Sequence, residues 1–204
     1  MEDKRKRRNN SDIEDSLNKA FIQLVKEVGF PKVTVRALTR KAKIEPVVFY
    51  KRYNDLNDFI DQFVKEYDYW FSDITRNCGN IIDDKKSYIA ILNNLFSSLK
   101  ENKLMQQLLK WEFSDNNDIT RRTARLREFH TLPLVNKYRE IFADSSVEID
   151  AVSALIIGGI YYLVLHADLA TFGNIDINTE CGSKKISDAI EYIGNVFFAD
   201  ISPL

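Results

Sequence analysis

The chain has 204 residues, of which 45% are hydrophobic and 29% are charged, with only seven glycines and four prolines. This composition excludes a collagen-like or disordered chain and predicts a folded protein with one large domain, or a small domain joined to a larger one. The formal net charge of −1 excludes a chain that is basic throughout.

The charges are unevenly distributed along the sequence. Residues 1–53 hold fourteen Lys and Arg against seven Asp and Glu, whereas residues 54–204 hold fifteen against twenty-three. The first segment therefore carries +7 and the second −8, a pattern expected when only one part of a protein contacts phosphate groups. We predict two domains, residues 1–54 and residues 55–204.

A run of five basic residues, Lys4 to Arg8, precedes the first predicted helix. We interpret this run as an arm that follows DNA phosphates or enters the minor groove, with a solvated tail as the alternative. Ser11 and Glu14 have the spacing of a capping box, which predicts that the helix begins there. Apolar residues then recur at helical spacing as far as Val28, and Gly29 is expected to end the helix.

Two short helices are predicted between Thr34 and Tyr53. Thr34 is suited to cap the first helix, and Pro46 is suited to the first position of the second. Phe49 and Tyr53 share one face of the second helix, and neighbours must bury this face because so short a helix is unstable alone. The residues left on its other faces are Val47, Val48, Tyr50, Lys51 and Arg52.

This stretch resembles the DNA-binding half of the TetR family of bacterial ligand-responsive transcriptional regulators. The resemblance is carried by Gly29-Phe30 at a helix end, by Thr34-Val35-Arg36 at the next helix start, and by the run Phe49-Tyr50-Lys51-Arg52-Tyr53. It covers the first third of the chain closely, and beyond that only the architecture is similar. It implies a helix-turn-helix unit whose DNA-binding residues are Thr34, Val35, Arg36, Pro46, Val47, Val48, Tyr50, Lys51 and Arg52.

Four residues depart from the pattern of that family. Glu45 stands where Ser is common, Val47 where Gly is common, Lys43 at the usual Gly of the turn, and Leu56 where a Lys is common. Glu45 places a negative charge beside the duplex, and Leu56 removes one expected phosphate contact. These changes motivate an alternative function, a dimeric small-molecule-binding or interaction module whose head has lost sequence-specific DNA binding.

The remainder of the chain is also predicted to be helical. A turn at Asn54-Asp55 precedes a long helix to about Ile74, and later helices are separated by a polar break at residues 114–118. Pro133 is expected to kink or divide the helix that contains it. Ser145 and Glu148 have the spacing of a second capping box. The fold class is therefore all-α, a three-helix DNA-binding domain followed by a larger helical ligand-binding and dimerisation domain.

The most apolar stretch of the chain runs from Ala151 to Leu165. We do not expect a membrane span, since the run is shorter than about 20 residues and Asp150 and Asp168 flank it. A helix apolar on nearly all sides is instead expected to be buried, partly by its own domain and partly by a second subunit. The resemblance implies a homodimer through the last two helices, with an internal core pair as the alternative. The predicted interface residues are Ala154, Gly158, Tyr161, Ile186, Ile190, Ile193 and Phe197.

A ligand site is predicted in the second domain. A kink at Pro133 would separate helices locally, and cavities between bundle helices are common ligand sites. The surrounding aromatic residues favour a small apolar or aromatic ligand, although each of them singly is more typical of core. The predicted ligand-binding residues are Tyr67, Phe96, Trp111, Phe129, His130 and Tyr162.

Nothing in the sequence indicates catalysis. His130 and His166 have no nearby Cys or carboxylate at catalytic or metal-ligand spacing, and Cys78 and Cys181 lie far apart. We therefore expect no enzyme activity, no metal, no cofactor and no disulfide. The basic start has no apolar core typical of a secretion signal, so a cytoplasmic protein is expected. The leading hypothesis is a regulator, a repressor by resemblance, that binds a palindromic DNA operator as a homodimer and is released by a small molecule.

Overall fold

The computed structural model describes residues 9–67, 74 and 81–201. In this part the chain folds into nine α-helices and a short 3-10 helix, Phe30–Lys32, with one isolated bridge between Phe172 and Ile175. The all-α fold class is confirmed. The helices are α1 (Asn10–Val28), α2 (Val35–Ala42), α3 (Pro46–Tyr50), α4 (Leu56–Tyr67), α5 (Asp84–Glu101), α6 (Lys103–Ser114), α7 (Asp118–Ile141), α8 (Ile149–His166) and α9 (Glu180–Ala199).

The chain forms two compact units. The first holds the described part of Met1–Tyr67 together with Gln107–Thr123, and the second holds the described parts of Asp68–Gln106 and Ala124–Leu204. The first unit thus includes α4 and a later stretch of chain in addition to α1–α3. The functional division into residues 1–54 and 55–204 stays a prediction.

A cluster of aromatic rings around Phe21 forms the core of the first unit. The ring of Phe21 meets those of Phe30, Phe59 and Phe63 edge to face, with centroids 5.6, 5.1 and 4.8 Å away. Aromatic pairs prefer this geometry, which adds about 0.5–1.5 kcal/mol per pair beyond area burial. Trp111 stacks on Phe30 with a centroid separation of 4.9 Å. The cluster therefore fixes α1 against α4 and against the segment that leads into α2.

The start of α1 differs from the prediction. Asn9, and not Ser11, is the cap: its Oδ1 accepts from the Asp12 backbone N–H at 2.7 Å, and its own N–H donates to Asp12 Oδ2 at 3.1 Å. The predicted capping box at Ser11 and Glu14 is wrong, because Asn9 and Asp12 offer the same spacing earlier and extend the helix. Gly29 ends α1 with φ of 78°, as predicted.

Hydrogen bonds that involve Asn54 and Asp55 cap the start of α4, where a turn and a cap were predicted. Asp55 Oδ1 accepts from the Asp58 N–H at 2.8 Å, and Asp58 Oδ2 accepts from the Asn54 N–H at 2.9 Å. The bond from Asn54, with another from Gln62, lowers the pKa of Asp58. Ile74, the predicted end of this helix, is helical and buried, but residues 68–73 between it and Tyr67 lie outside the described residues.

In the second unit α5 packs against both α8 and α9. Gly194 of α9 allows the close approach to α5, since a Cβ there would lie 2.5 Å from Cγ1 of Ile89. The hydroxyls of Tyr88 on α5 and Ser153 on α8 are hydrogen-bonded at 2.9 Å. Burial raises the pKa of Tyr88, so its phenol remains a neutral partner in that bond.

The helix that contains Pro133 is not divided. Helix α7 runs without a break from Asp118 to Ile141, so the predicted division is wrong. The predicted kink at Pro133 stays a prediction. Proline removes the bond to the carbonyl four residues earlier, here that of Phe129. Both Pro133 and Phe129 are exposed, and solvent can hydrate the released carbonyl there.

The predicted capping box before α8 is also wrong. Helix α8 begins at Ile149 after Glu148, whose side chain makes no capping bond. The hydroxyls of Ser145 and Ser146 instead donate to Oδ2 of Asp200, at 3.2 and 2.9 Å. The two serines therefore tie the start of α8 to the end of α9, a contact between residues more than fifty positions apart.

Helix α8 is far less buried within one chain than its composition suggests. Only 17% of its residues are buried, although the helix is long and apolar enough, by length and composition alone, to cross a membrane. Its open side faces away from α5 and consists of apolar and small residues. An uncovered apolar face of this size is typical of an interaction surface.

Candidate nucleic-acid interface

Helix α2 is anchored through its inner face. Leu38, Thr39 and Ala42 are buried, and the Thr39 hydroxyl donates to the carbonyl of Val35 at 2.8 Å. The hydroxyl of Thr34 accepts from the backbone N–H of Ala37 at 3.2 Å, which confirms the predicted cap. The outer face leaves the Arg36 side chain exposed.

A tight turn at Lys43 joins α2 to α3. Lys43 adopts the left-handed conformation, with φ of 55° and ψ of 47°. Its N–H donates to the carbonyl of Arg40 at 3.2 Å, and the N–H of Ile44 donates to the carbonyl of Thr39 at 2.9 Å. These bonds satisfy the last carbonyls of α2 and redirect the chain, so that α3 begins within three residues.

Helix α3 is held by a single buried ring. Pro46 occupies its first position, as predicted, and Phe49 is fully buried. The ring of Phe49 lies 5.2 Å from that of Tyr53 and 5.9 Å from that of Phe59 on α4. A five-residue helix has little stability of its own, so this packing determines where its outer side chains lie.

The outer face of α3 presents apolar, aromatic and cationic side chains together. Val47 is 55% exposed and Tyr50 is 57% exposed, and Pro46 and Lys51 are exposed beside them. Val48 is half-buried. A helix with such a face fits the major groove, which is about 12 Å wide, and valine methyl groups can contact a thymine methyl.

Three predicted DNA-binding residues lie at the start of α2. Thr34 and Arg36 are exposed, whereas Val35 is half-buried. The first backbone N–H groups of a helix have no partner within the helix, so this exposed helix start is suited to contact phosphate. The basic arm from Lys4 to Arg8 lies outside the described residues.

Arg52 is engaged within the chain. Its guanidinium donates to the carbonyl of Val48 at 3.0 Å and to Oδ1 of Asn10 at 2.7 Å. Arg52 therefore ties the end of α3 to the start of α1 and positions the helix. Lys41 is similarly paired with Glu27 at 2.6 Å. The sequence did not indicate either pairing, because the partners are 42 and 14 residues apart.

Glu45 remains the unfavourable feature of this surface. It is exposed, immediately precedes Pro46, and makes no side-chain capping bond. Leu56, the other departure from the family pattern, is half-buried at the start of α4. Glu45 lowers the positive potential near α3, whereas the uncharged Leu56 only lacks the positive charge that is common at its position in the family pattern.

The six predicted ligand-binding residues are divided between the two units. Tyr67 and Trp111 belong to the first. Trp111 is buried, stacks on Phe30, and its Nε1–H donates to Asp115 Oδ2 at 3.1 Å. Tyr67 stacks on Phe63 at 5.9 Å. Trp111 therefore contributes to the core of the first unit.

The other four predicted ligand residues belong to the second unit. Phe96 is buried, whereas Phe129 is 66% exposed and lies 6.2 Å from the ring of His130. Tyr162 is exposed and stacks on His166 at 5.0 Å. Arg127 on α7 is also buried, and sequence spacing alone did not single it out.

The predicted interface residues fall into two groups. Ala154 and Gly158 are exposed on α8, and the half-buried members are Tyr161, Ile186, Ile193 and Phe197. Ile190 is only 4% exposed and packs inside its own chain. The large apolar side chains exposed on α9 are instead Tyr192 and Val196, which lie on the opposite side of the helix from Ile190.

No metal site is present among the described residues, since no three or more His, Cys, Asp or Glu side chains cluster there. Cys181 is an exposed free thiol, and Cys78 lies outside the described residues.

No family model and no curated protein matches this sequence. Solved structures do match the fold. The fatty acid degradation regulator FadR from Bacillus halodurans aligns with a TM-score of 0.68 and 14% identity, over 91% of this chain and 97% of its own. FadR from Bacillus subtilis, solved in complex with stearoyl-CoA, aligns with a TM-score of 0.66 and 13% identity, over 96% and 100%.

A TetR family transcription regulator from Marinobacter aquaeolei aligns with a TM-score of 0.62 and 17% identity, over 88% of this chain and 96% of its own. The chain therefore has the TetR fold, with a helix-turn-helix domain at the N-terminus and a larger helical domain after it. The resemblance first seen in residues 29–53 is confirmed at the level of the whole fold.

Proposed function

We propose that this protein is a ligand-responsive transcriptional regulator of the TetR type, which binds a DNA operator through α2 and α3. The observation that carries the proposal is the outer face of α3, where Val47, Tyr50 and Lys51 are exposed while Phe49 anchors the helix. The fold shared with TetR-type regulators supports the same function.

The proposed contacts with the duplex are of two kinds, contacts with phosphates and contacts with base edges. Tyr50 and Lys51 bind phosphates, which supplies affinity that falls as salt rises. Arg36, Val47 and Val48 meet base edges and supply preference for one sequence. Arg52 holds α3 in position through Asn10 and does not itself need to reach the DNA.

The protein acts as a homodimer on a palindromic site and represses transcription when bound. Two-fold symmetry in the protein requires two half-sites in register on the duplex. The uncovered apolar face of α8 supports self-association, because a monomer would leave this face in water.

The ligand that releases the protein from DNA has a substantial apolar part. The structure of FadR from Bacillus subtilis with stearoyl-CoA supports a molecule of this class. Stearoyl-CoA added to the protein–DNA complex is expected to weaken binding, whereas free coenzyme A is the control and leaves it unchanged. If neither compound shifts DNA binding or the melting temperature, a long acyl chain is not the ligand.

DNA binding is tested by the double variant Tyr50→Ala/Lys51→Ala. Selection from a random duplex pool first yields the preferred site, and titration at several salt concentrations follows. We expect the variant to bind all sequences more weakly and to lower the slope of log K against log salt by about one, since Lys51 neutralises one phosphate.

The matched control is Ile82→Ala/Lys86→Ala. It also removes an exposed apolar side chain and an exposed lysine, but from the second unit. The control is expected to bind DNA as the parent does. Equal binding by the parent and the Tyr50→Ala/Lys51→Ala variant would contradict the placement of α3 on the DNA.

Glu45 favours a second candidate function, a dimeric ligand-binding module whose head has lost sequence-specific DNA binding. Its exposed carboxylate directly precedes α3 and would face phosphate groups. A parent protein that selects no sequence from the pool, together with a Glu45→Gln variant that gains binding, would assign the protein to this second function.

A further inference from the structure

Glu45 lies on the outer surface of the helix-turn-helix unit, directly before α3. It is exposed, and so are Pro46 and Val47, which follow it. In helix-turn-helix proteins the first residues of the recognition helix meet the edges of the base pairs in the major groove. If α3 enters the groove as proposed, the side chain of Glu45 enters with it.

The backbone of Glu45 is held in one conformation. Its carbonyl accepts from the Val48 N–H at 2.9 Å, and its φ and ψ are −71° and 140°. Pro46 favours this extended conformation, because the proline ring would clash with the preceding residue in a helical one. The Cβ of Glu45 therefore keeps its position relative to α3, and its side chain can read a base without rearrangement of the chain.

The carboxylate of Glu45 is available to a partner outside the chain. It makes no capping bond to α3, and among the described residues it has no ion-pair or hydrogen-bond partner. Other acidic side chains of the same unit are engaged. Glu27 pairs with Lys41 at 2.6 Å, and Asp58 accepts from the Asn54 N–H at 2.9 Å.

A free carboxylate beside DNA lowers the affinity for most sequences. It repels the phosphates, and it loses water as it enters the groove, so every sequence that offers it no donor binds more weakly. The hydrogen-bond donors of the major groove are the amino groups at N4 of cytosine and N6 of adenine. A charge-assisted bond to such an amino group offsets the loss, and affinity is regained only where that base is present.

Cytosine is the better partner of the two bases. The N6 amino group of adenine lies between two acceptors, N7 of the same base and O4 of the paired thymine. The N4 amino group of cytosine has one acceptor beside it, O6 of the paired guanine. A carboxylate that binds adenine is therefore repelled by two acceptors, whereas a carboxylate that binds cytosine is repelled by one.

We propose that Glu45 is a specificity-determining residue, which accepts a hydrogen bond from N4 of a cytosine in each half-site of the operator. This inference rests on the proposed function, in which α3 enters the major groove, and adds a base that the operator contains. Two-fold symmetry repeats the contact, so a C·G pair occurs at the same position of both half-sites. The residue that weakens binding to DNA in general thereby strengthens the preference for one site.

Exchange of the carboxylate for an amide tests the contact, because glutamine pairs with a different base. Glu45→Gln keeps the size of the side chain, removes its charge, and offers the acceptor and donor that match N6 and N7 of adenine. Duplexes are selected from a random pool by the parent and, separately, by the variant. We expect the two consensus sequences to differ at one position per half-site, with C·G for the parent and A·T for the variant.

Titration of both proteins on both selected duplexes measures the size of the effect. One mismatched pair costs about 10-fold in affinity, so A·T in place of C·G in both half-sites is expected to weaken the parent about 100-fold. The Glu45→Gln variant is expected to bind the parent's duplex more weakly than the parent does. On a random-sequence duplex it is expected to bind more tightly, because a charge that repels phosphate is gone. These opposite signs distinguish a base contact from general charge repulsion.

The matched control is Glu14→Gln, which removes the charge of an exposed glutamate on α1 in the same unit. It is expected to select the same consensus as the parent. Circular dichroism checks that both variants fold as the parent does. Tighter binding of Glu45→Gln to every duplex by one common factor would overturn the inference, because Glu45 would then act only through its charge.

The outcomes separate this inference from the proposed function. A parent that selects a palindromic site, with a Glu45→Gln variant that selects the same site, would overturn the cytosine contact and leave the regulator in place. A parent that selects A·T at the position where the two consensus sequences differ would overturn the choice of cytosine. A parent that selects no sequence would overturn both the contact and sequence-specific DNA binding.

Discussion

Lys43 is an unusual residue for the position that it occupies. An L-residue in the left-handed conformation brings its Cβ close to the following carbonyl oxygen, at a cost of about 1–2 kcal/mol. The turn between α2 and α3 requires this conformation, because the N–H groups of Lys43 and Ile44 must reach back to α2. The strain is therefore tolerated so that α3 begins in the right place.

Replacement of Lys43 by glycine is expected to raise the free energy of unfolding. Glycine removes the Cβ clash but loses more backbone entropy on folding, so the net gain is about 1 kcal/mol or less. Urea denaturation of the DNA-free protein, followed by helical circular dichroism, measures it. The control is Lys43→Ala, which removes the same charge and keeps the Cβ. An equal gain in the control would show that relief of charge repulsion, and not relief of strain, stabilises the protein.

Residues whose role depends on their immediate neighbours could be predicted from the sequence. Thr34 caps α2, Pro46 opens α3, and Phe49 is buried, each as helical spacing and capping chemistry indicate. Arg52 could not be predicted to bind Asn10, since the contact joins residues 42 positions apart. The sequence shows only that an arginine lies at the outer side of a short helix, and it does not show whether the guanidinium contacts phosphate or protein.

At the scale of helices, element positions were predictable, and their ends were less so. The helix at Asp118–Ile141 continues through Pro133, where Pro133 and Phe129 are both exposed, and exposure is not visible in helical spacing. The caps of α1 and α8 were misassigned because several polar and acidic residues near a helix start can have capping-box spacing, and the spacing alone does not show which of them make the bonds. Only the folded chain shows that Ser146 binds Asp200 instead.

Helix packing also decides which apolar residues remain available to a partner. The sequence marks Ile186, Ile190 and Ile193 as the apolar stripe of α9, and the fold turns Ile190 into the protein's own core. Tyr192, which the sequence did not single out, is the most exposed large hydrophobic side chain described on that helix. Gly194 explains the orientation, since α9 must turn this residue toward Ile89 of α5.

At the scale of the whole molecule, the charge distribution agrees with the proposed DNA binding. The segment from residue 1 to residue 53 carries +7 and the remainder carries −8, so a duplex is expected to attract the first segment and to repel the rest of the chain. A single helix-turn-helix unit with few phosphate contacts binds weakly at physiological salt. Under the proposed function, tight and specific binding therefore requires the helix-turn-helix domains of two subunits to bind one duplex together.

The spacing of half-sites tests that dependence. Two half-sites bound by a symmetric dimer lie on one face of the duplex, about one helical turn of 10–10.5 base pairs apart or a multiple of it. Inserting about five base pairs between the selected half-sites rotates one to the opposite face, and affinity is expected to fall about 100-fold as the second contact is lost. Fluorescence anisotropy at one fixed salt concentration measures this loss.

The matched control is a Gly158→Arg variant, which places a charge on the uncovered apolar face of α8 and is expected to be monomeric. It is titrated on three duplexes: the selected site, the site with five added base pairs, and a single half-site. A monomer gains nothing from a second half-site, so its affinity is expected to be equal on all three apart from a factor of about two for the number of sites. The parent is expected to bind the half-site as weakly as the variant does, because the heads are identical. If the insertion leaves the affinity of the parent unchanged, each helix-turn-helix domain binds DNA independently. The symmetric operator would then be wrong, even if α3 lies on the DNA.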